Sequence, residues 1–217
     1  MSTEFDYQWK NLPSVHIEYN KNRVTEFLDF TGFDRNFLKG KSVLDAGCGN
    51  GRYTYAMQQL GATVDSIDVS QEAISACREI NPKARVLSVF DLDRTGYDFI
   101  YCWGVLHHTE RPRDGFNILT RALRSGGRLH VMLYNKSQQK PYIELRKKFA
   151  SLDEAGKLHL CRKHAKDESG IHGWYDALNP QYNHSYSVGE IIDWYRDDYH
   201  GVTVSKIGNI NINGEKI

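Results

Sequence analysis

In the stretch Ser42-Val-Leu-Asp-Ala-Gly-Cys-Gly-Asn-Gly-Arg52 an apolar strand runs into glycines at 47, 49 and 51 and then into a helix. Glycine at alternate positions strips the Cβ atoms from one side of the backbone, permits positive φ and lets a ligand lie against the main chain. A bound ligand facing main-chain N–H groups is expected here, with Asp45 as an acceptor beneath the turn. The spacing narrows its nature. A dinucleotide fingerprint needs Gly-x-Gly-x-x-Gly, but counting from Gly47 the sixth position is Arg52 and the third glycine falls at 51. A phosphate-cradling loop needs Gly-Lys-Ser/Thr, and Gly51 is followed by Arg-Tyr-Thr. Nicotinamide, flavin and nucleoside triphosphate are therefore disfavoured.

At 217 residues the chain has room for one α/β domain with a full core. The expected parts are an N-terminal cap (1–39), a cofactor-binding core (40–134), a lid insertion (135–185), and a closing helix and hairpin (186–217). No stretch has the ~18–20 uninterrupted apolar residues of a membrane span, and Met-Ser-Thr-Glu-Phe-Asp lacks a signal-peptide pattern. A cytoplasmic protein without membrane attachment is expected. Cysteines 48, 77, 102 and 161 form no Cys-x-x-Cys pair and read as reduced, mostly buried thiols. The net charge of +1 argues against whole-surface attraction to nucleic acid or anionic lipid. The segment 136–166 is an exception, with nine Lys/Arg against three Asp/Glu.

Residues 1–15 look too irregular for a defined element, and their aromatics are expected to pack on the domain as a tail. A loosely amphipathic helix is expected over 15–30. Beyond the glycine turn the pattern alternates. Helix 52–60 is followed by a strand over 62–68 ending in Asp68, and a helix over 70–80 capped by Ser70 by a strand over 84–90 that delivers Asp91 and Leu92. Strand 97–103, helix 112–124 and strand 128–134 complete the alternation, which implies parallel strands with right-handed crossovers in a doubly wound sheet. Ser187-Val-Gly-Glu190 is a capping box opening a helix to about 199, and 202–207 with 209 onward form a hairpin. Within the lid, helices are expected at 140–150 and 153–166, followed by a polar, aromatic, His-rich run over 172–186.

Val43-Leu44-Asp45-Ala46-Gly47-Cys48-Gly49-Asn50-Gly51 resembles the first motif of the class I S-adenosylmethionine-dependent methyltransferases. Gly104-Val-Leu-His-His108, followed by Pro112, an amphipathic helix and Gly126-Gly127, is similar to their small-molecule branch around quinone and secondary-metabolite enzymes. The Asn/Asp-Pro-Pro-aromatic stretch and the Pro-Cys nucleophile of nucleic-acid methylases are absent. The resemblance covers 40–135 strongly and the two ends weakly. It implies an α/β fold with a mostly parallel seven-stranded sheet, flanking helices and a helical lid, and S-adenosylmethionine as cofactor. The implied cofactor contacts are Asp45, Gly47, Cys48, Gly49, Gly51, Asp68, Val69, Asp91, Leu92 and Trp103. Asp68, 21 residues after Gly47, takes the ribose hydroxyls or else merely precedes the Ser70 cap, while Asp91, with Asp93 close enough to compete, takes the adenine amino group and Leu92 packs on the ring.

Methyl transfer from a sulfonium needs an aligned, dry acceptor within ~3–3.5 Å of the methyl carbon, and a hydroxyl acceptor must also lose its proton. His107 and His108 follow the fourth strand beside the expected methyl and are candidate bases, or else they cap the turn; His184 is a rival base on the lid. Acceptor contacts are expected from Tyr134, Arg146, Trp174, Tyr175 and Tyr182. His172, Asp176 and His184 have spacing too irregular to predict a metal, and none is expected. Arg146, Lys147, Lys148, Arg162 and Lys163 form either a solvated helix face or a surface that draws in an anionic acceptor. A homo-oligomer is compatible with the sequence. Methyl transfer to a small molecule, most simply to oxygen and otherwise to nitrogen or carbon, is the leading expectation. Another group transfer from the same cofactor, or a nucleoside-binding sensor, is the alternative.

Overall fold

A sheet with both faces covered needs apolar side chains facing two cores, and the central strands supply them. The computed structural model, which describes residues 3–12, 22–205 and 208–217, resolves this into period-two alternation between two cores. On β1 (Ser42–Ala46) Val43 points to one core and Leu44 to the other; on β4 (Tyr97–Trp103) Phe99 and Tyr101 alternate with Ile100 and Cys102. Helices α2 (Arg23–Thr31) and α3 (Arg52–Gln59) cover the Val43 face with Phe27, Ala56 and Met57. Helices α5 (Pro112–Ala122) and α9 (Val188–Tyr195) cover the other with Phe116, Leu119, Ile191 and Tyr195.

The remaining strands are β2 (Thr63–Asp68), β3 (Arg85–Val86), β5 (Leu123–Leu133), β6 (Tyr199–Ser205) and β7 (Ile210–Lys216). Their order is β3-β2-β1-β4-β5-β7-β6, parallel except that β7 runs against both β5 and β6. The doubly wound seven-stranded arrangement is as expected. The strand order reverses between β1 and β4, whose carboxyl ends lie side by side, and in such sheets that crevice is where ligands bind. Helix α4 (Gln71–Cys77) follows β2, and its N-cap Ser70 accepts from the Ala73 N–H at 3.2 Å. The Ser187–Glu190 capping box at α9 is complete.

Three elements depart from expectation. The third strand pairs with β2 only through Arg85 and Val86, because Ser88 Oγ accepts from the Phe90 N–H (3.1 Å) and starts a 3₁₀ turn over Val89–Asp91. The irregular N-terminal stretch contains a short helix, α1 (Asp6–Asn11), held by Leu12 in an apolar cluster and by the buried Gln8. Six residues are too few for a helix that stands alone, so its stability is tertiary. Of the helix expected over 15–30, α2 accounts for the C-terminal part; 15–21 lie outside the described residues.

The insertion folds as α6 (Lys140–Ala150), α7 (Glu154–His164) and α8 (Glu168–Leu178). The first two match expectation. The third was hidden by Gly170, Gly173 and a crowd of aromatics. Asp167 caps it, accepting from the Gly170 N–H at 2.9 Å, and Ile171, Tyr175 and Leu178 bury one stripe against Phe149 and Leu160. Helical periodicity then turns His172, Gly173, Asp176 and Ala177 to the opposite side, toward the crevice.

Candidate active site

The glycine turn sits at the carboxyl end of β1 with φ of 78° at Gly47, 53° at Gly49 and 86° at Gly51. A Cβ at Gly47 would stand 2.1 Å from Val105 Cγ2, and one at Gly49 2.5 Å from the Trp9 ring. Gly51 has a different duty. It is the N-cap of α3, a Cβ there would meet Cys77 Sγ at 2.9 Å, and it does not line the cavity.

The expected display of N–H groups is not what the turn offers. The Gly47 and Cys48 N–H groups donate to the Ile67 carbonyl (2.8 and 2.9 Å), and the Gly49 N–H donates to Asp68 Oδ2 (2.9 Å). With those donors used internally the turn is no phosphate cradle. This physical distinction agrees with the spacing that disfavoured pyrophosphate ligands. Asp68 Oδ1 accepts from the Ser70 N–H at 2.9 Å, so each carboxylate oxygen keeps a lone pair for a further donor. Burial pushes its carboxyl up to about 6, against the pull of those backbone bonds. Asp45, deeper and almost fully buried, accepts from Thr54 Oγ1 at 2.6 Å and is pushed up to about 7, again by burial.

Around the turn lies a cavity of about 660 Å³. Of the sequence-predicted residues it brings together Asp45, Gly47, Cys48, Gly49, Asp68, Val69, Trp103, His107, His108, Tyr134, Arg146 and Tyr182. Asp91 and Leu92 are not on its wall: the 3₁₀ turn swings Asp91 out to solvent, and Leu87, Ser88, Val89 and Phe90 line that end instead. Trp174 and Tyr175 lie on the other side of α8. Trp174 packs on Tyr142 and His164, while Tyr175 is buried beside Phe149 with its hydroxyl on Glu154 (2.9 Å). His184 also stays off the wall; its N–H donates to the His107 carbonyl at 2.9 Å. Among the described residues no three His, Cys, Asp or Glu side chains are placed to share a metal ion.

The two adjacent histidines have different surroundings. His107 is fully buried against Tyr134 (ring centroids 3.8 Å), and burial, then neighbouring His108, drive its pKa well below the ordinary value, leaving the ring neutral. His108 has Nδ1 2.9 Å from the Tyr182 carbonyl oxygen. A carbonyl only accepts, so Nδ1 carries a hydrogen and Nε2 is the nitrogen that takes up or loses a proton.

Arg146 is a half-buried cation whose Nε donates to the Ala177 carbonyl (2.9 Å) and whose Nη2 donates to Gln139 Oε1 (2.8 Å). Its partners among the described residues are neutral, including the Tyr134 and Tyr142 rings beneath it. Lys147, Lys148, Arg162 and Lys163 are exposed and off the cavity wall, so among the basic residues singled out only Arg146 faces in.

Sequence reasoning missed the roof. Trp9 covers Gly49 and packs on His172 (ring centroids 4.4 Å), and Gln8 Nε2 donates to Asp176 Oδ1 at 2.9 Å. The grouping of Phe5, Tyr7 and Trp9 was the only signal for it. Arg52, at the start of α3, lies over the Trp103 ring at 4.9 Å; its position directly after the glycine turn was a signal that could have been used.

Residues 16–196 match a family model described as a methyltransferase domain. Relatives include the ubiquinone biosynthesis O-methyltransferase of Alkalilimnicola ehrlichii, 28% identical over 70% of this chain and 61% of that protein. The mitochondrial ubiquinone biosynthesis O-methyltransferase of Schizosaccharomyces pombe is 34% identical over 51% of this chain and 43% of its own. The chain thus spans between two fifths and two thirds of the length of these relatives. Among solved structures, the plantazolicin methyltransferase BpumL in complex with SAH superposes with a TM-score of 0.59 at 18% identity, covering 98% of this chain and 94% of that one. The magnesium protoporphyrin IX methyltransferase of Synechocystis with bound SAH gives 0.59 at 17% identity over 94% and 84%. At these identities the likeness is one of fold.

Proposed function

The chain belongs to the methyltransferase domain family, and from that membership we propose that it methylates a hydroxyl of a small acceptor bearing negative charge, with S-adenosylmethionine as cofactor. The cavity fits that cofactor. Gly47 and Gly49 line it where Val105 and the Trp9 ring leave no room for a Cβ, and the buried Trp103 indole N–H has no partner among the described residues. Asp68 would hold the ribose, Val69 with Leu87 to Phe90 the base, and Trp103 with Arg52 the amino-acid carboxylate. The cofactor supplies the methyl group on a sulfonium, a leaving group that departs as a neutral thioether.

The observation that carries the choice of oxygen is the orientation of His108. Its Nδ1–H is fixed by the Tyr182 carbonyl, so Nε2 is the basic atom, and the side chain lines the cavity just past β4. A hydroxyl needs such a base, whereas a neutral amine attacks with its own lone pair. The negative charge rests on Arg146, a half-buried guanidinium facing the cavity whose partners among the described residues are neutral, which an anion would complete.

The test is a panel of hydroxy, amino and thiol compounds, with and without a carboxylate, assayed for +14 Da products. Hydroxylated carboxylates should be turned over, and His108→Asn should lower kcat by ~10²-fold or more with cofactor affinity kept. Product formed only on amines, or kcat surviving the substitution, would overturn the reading. Cofactor binding without any turnover would favour the sensor alternative.

A further inference from the structure

The lid helix brings a carboxylate to the cavity that the steps above leave unused. Asp176 stands on the inner side of α8, one turn after His172, with its side chain open to the cavity. Its Oδ1 accepts from Gln8 Nε2 of the N-terminal helix at 2.9 Å, and its Oδ2 lies 3.7 Å from His108 Nε2. Burial alone would raise the Asp176 carboxyl, but its contact with His108 and the bond from Gln8 hold it well below the usual carboxylate range. It is an anion at any working pH. Arg146, a cation of the cavity wall, is tied to Ala177 and Gln139 instead.

We propose that Asp176 is a positioning residue of the transfer: the counter-charge for protonated His108, carried in by the lid helix and steadied by Gln8. The proposal rests on the reading of His108 as the base. When the acceptor O–H bond breaks, its electron pair stays on oxygen and the proton goes to the Nε2 lone pair. The imidazolium is thus created facing a carboxylate. The 3.7 Å separation matters, because a direct hydrogen bond at about 2.8 Å would occupy Nε2. At the longer distance the nitrogen stays open to the acceptor while the charges still attract.

Other titratable groups against the His108 ring are His107 on the same turn and Tyr134 just past β5, with Arg146 on α6 acting on His107 and His172 on α8 beside Asp176. His107 and His172 are held neutral by burial, so Asp176 is the carboxylate that faces Nε2.

The test needs no acceptor. The ring nitrogens of His108 are followed by ¹⁵N NMR against pH in the cofactor-free wild type and in Asp176→Asn and Asp176→Glu. The pH at which the ring takes up its second proton should fall by about one pH unit or more in Asp176→Asn, as for loss of an opposite charge at this range. In Asp176→Glu most of that change should be absent, and all three proteins should keep the Nδ1–H tautomer. S-adenosylmethionine calorimetry verifies that each variant is folded. An unmoved titration in a variant that still binds cofactor overturns the proposal, as does an Nε2–H tautomer in the wild type. Failure of the base reading would show separately, as kcat surviving in His108→Asn.

Discussion

Replacing Gly47 by alanine tests the turn on which the site is built, and the structure sets the size of the effect. At φ 78° an L-residue is in the left-handed region, which costs roughly 1–2 kcal/mol. The new Cβ would also stand 2.1 Å from Val105 Cγ2, far inside contact distance, and overpacking of this kind costs about 1–3 kcal/mol. Gly47→Ala should therefore destabilise by ~2–5 kcal/mol and weaken S-adenosylmethionine binding. The two parts separate in a double-mutant cycle. Val105→Ala removes both γ carbons and leaves only Cβ, at 3.2 Å, so the double variant should recover the overlap part and retain the conformational part. Urea unfolding of the four proteins, with calorimetry for the cofactor, reads both effects. A single variant within ~0.5 kcal/mol of wild type would refute the positive φ, and a Val105→Ala change that recovers nothing would refute the overlap.

Asp68→Ala should lose two acceptors for the ribose, at roughly 1.5–3 kcal/mol per charged hydrogen bond before water compensates, so Kd should rise at least ~10-fold by calorimetry; unchanged affinity removes Asp68 from the site. Its carboxyl and that of Asp45 lie at about 6 and about 7 in the folded chain, above the ordinary 3.8, so the native state holds more protons than the unfolded one in between. Stability of the free protein should accordingly fall as pH rises from ~4 to ~7, and Asp68→Ala should flatten part of that fall. Arg146→Ala should raise the KM of a carboxylate acceptor ~10-fold or more and remove most of its dependence on salt, whereas exposed Lys147→Ala should do neither; equal effects of the two would return Arg146 to a structural role.

How far the sequence reached depended on the range of the forces involved. The glycine turn, the Ser70 cap and the Ser187–Glu190 box were legible because each is settled within a few residues, and the strands because period two survives burial on both faces. Asp91 was misplaced by one local hydrogen bond, from the Phe90 N–H to Ser88 Oγ, which ends the strand early. Trp174 and Tyr175 were assigned to the acceptor because a run read as loop has no inner and outer side; as helix α8 it presents Asp176 and His172 instead. Of the basic segment Arg146 lines the cavity while the other four singled out face water, and only tertiary contacts could distinguish it. The roof was out of reach for the same reason, since Gln8 and Asp176 are strangers in sequence.

That last contact has a consequence for how the protein is made. Gln8 meets His172 and Asp176 across separations of 164 and 168 residues, so the cavity closes only when nearly the whole chain has been threaded into place. Its glycine turn is complete within the first third of the polypeptide, yet a nascent chain holding only that third has a floor and no ceiling. Contacts of such long range form late, after the entropy of the intervening loop has been overcome. A ligand that prefers the roofed state adds its binding free energy to the native form alone. Cofactor level in the cell would then act as a proofreader of completed molecules, protecting finished chains from proteolysis while leaving truncated ones unprotected.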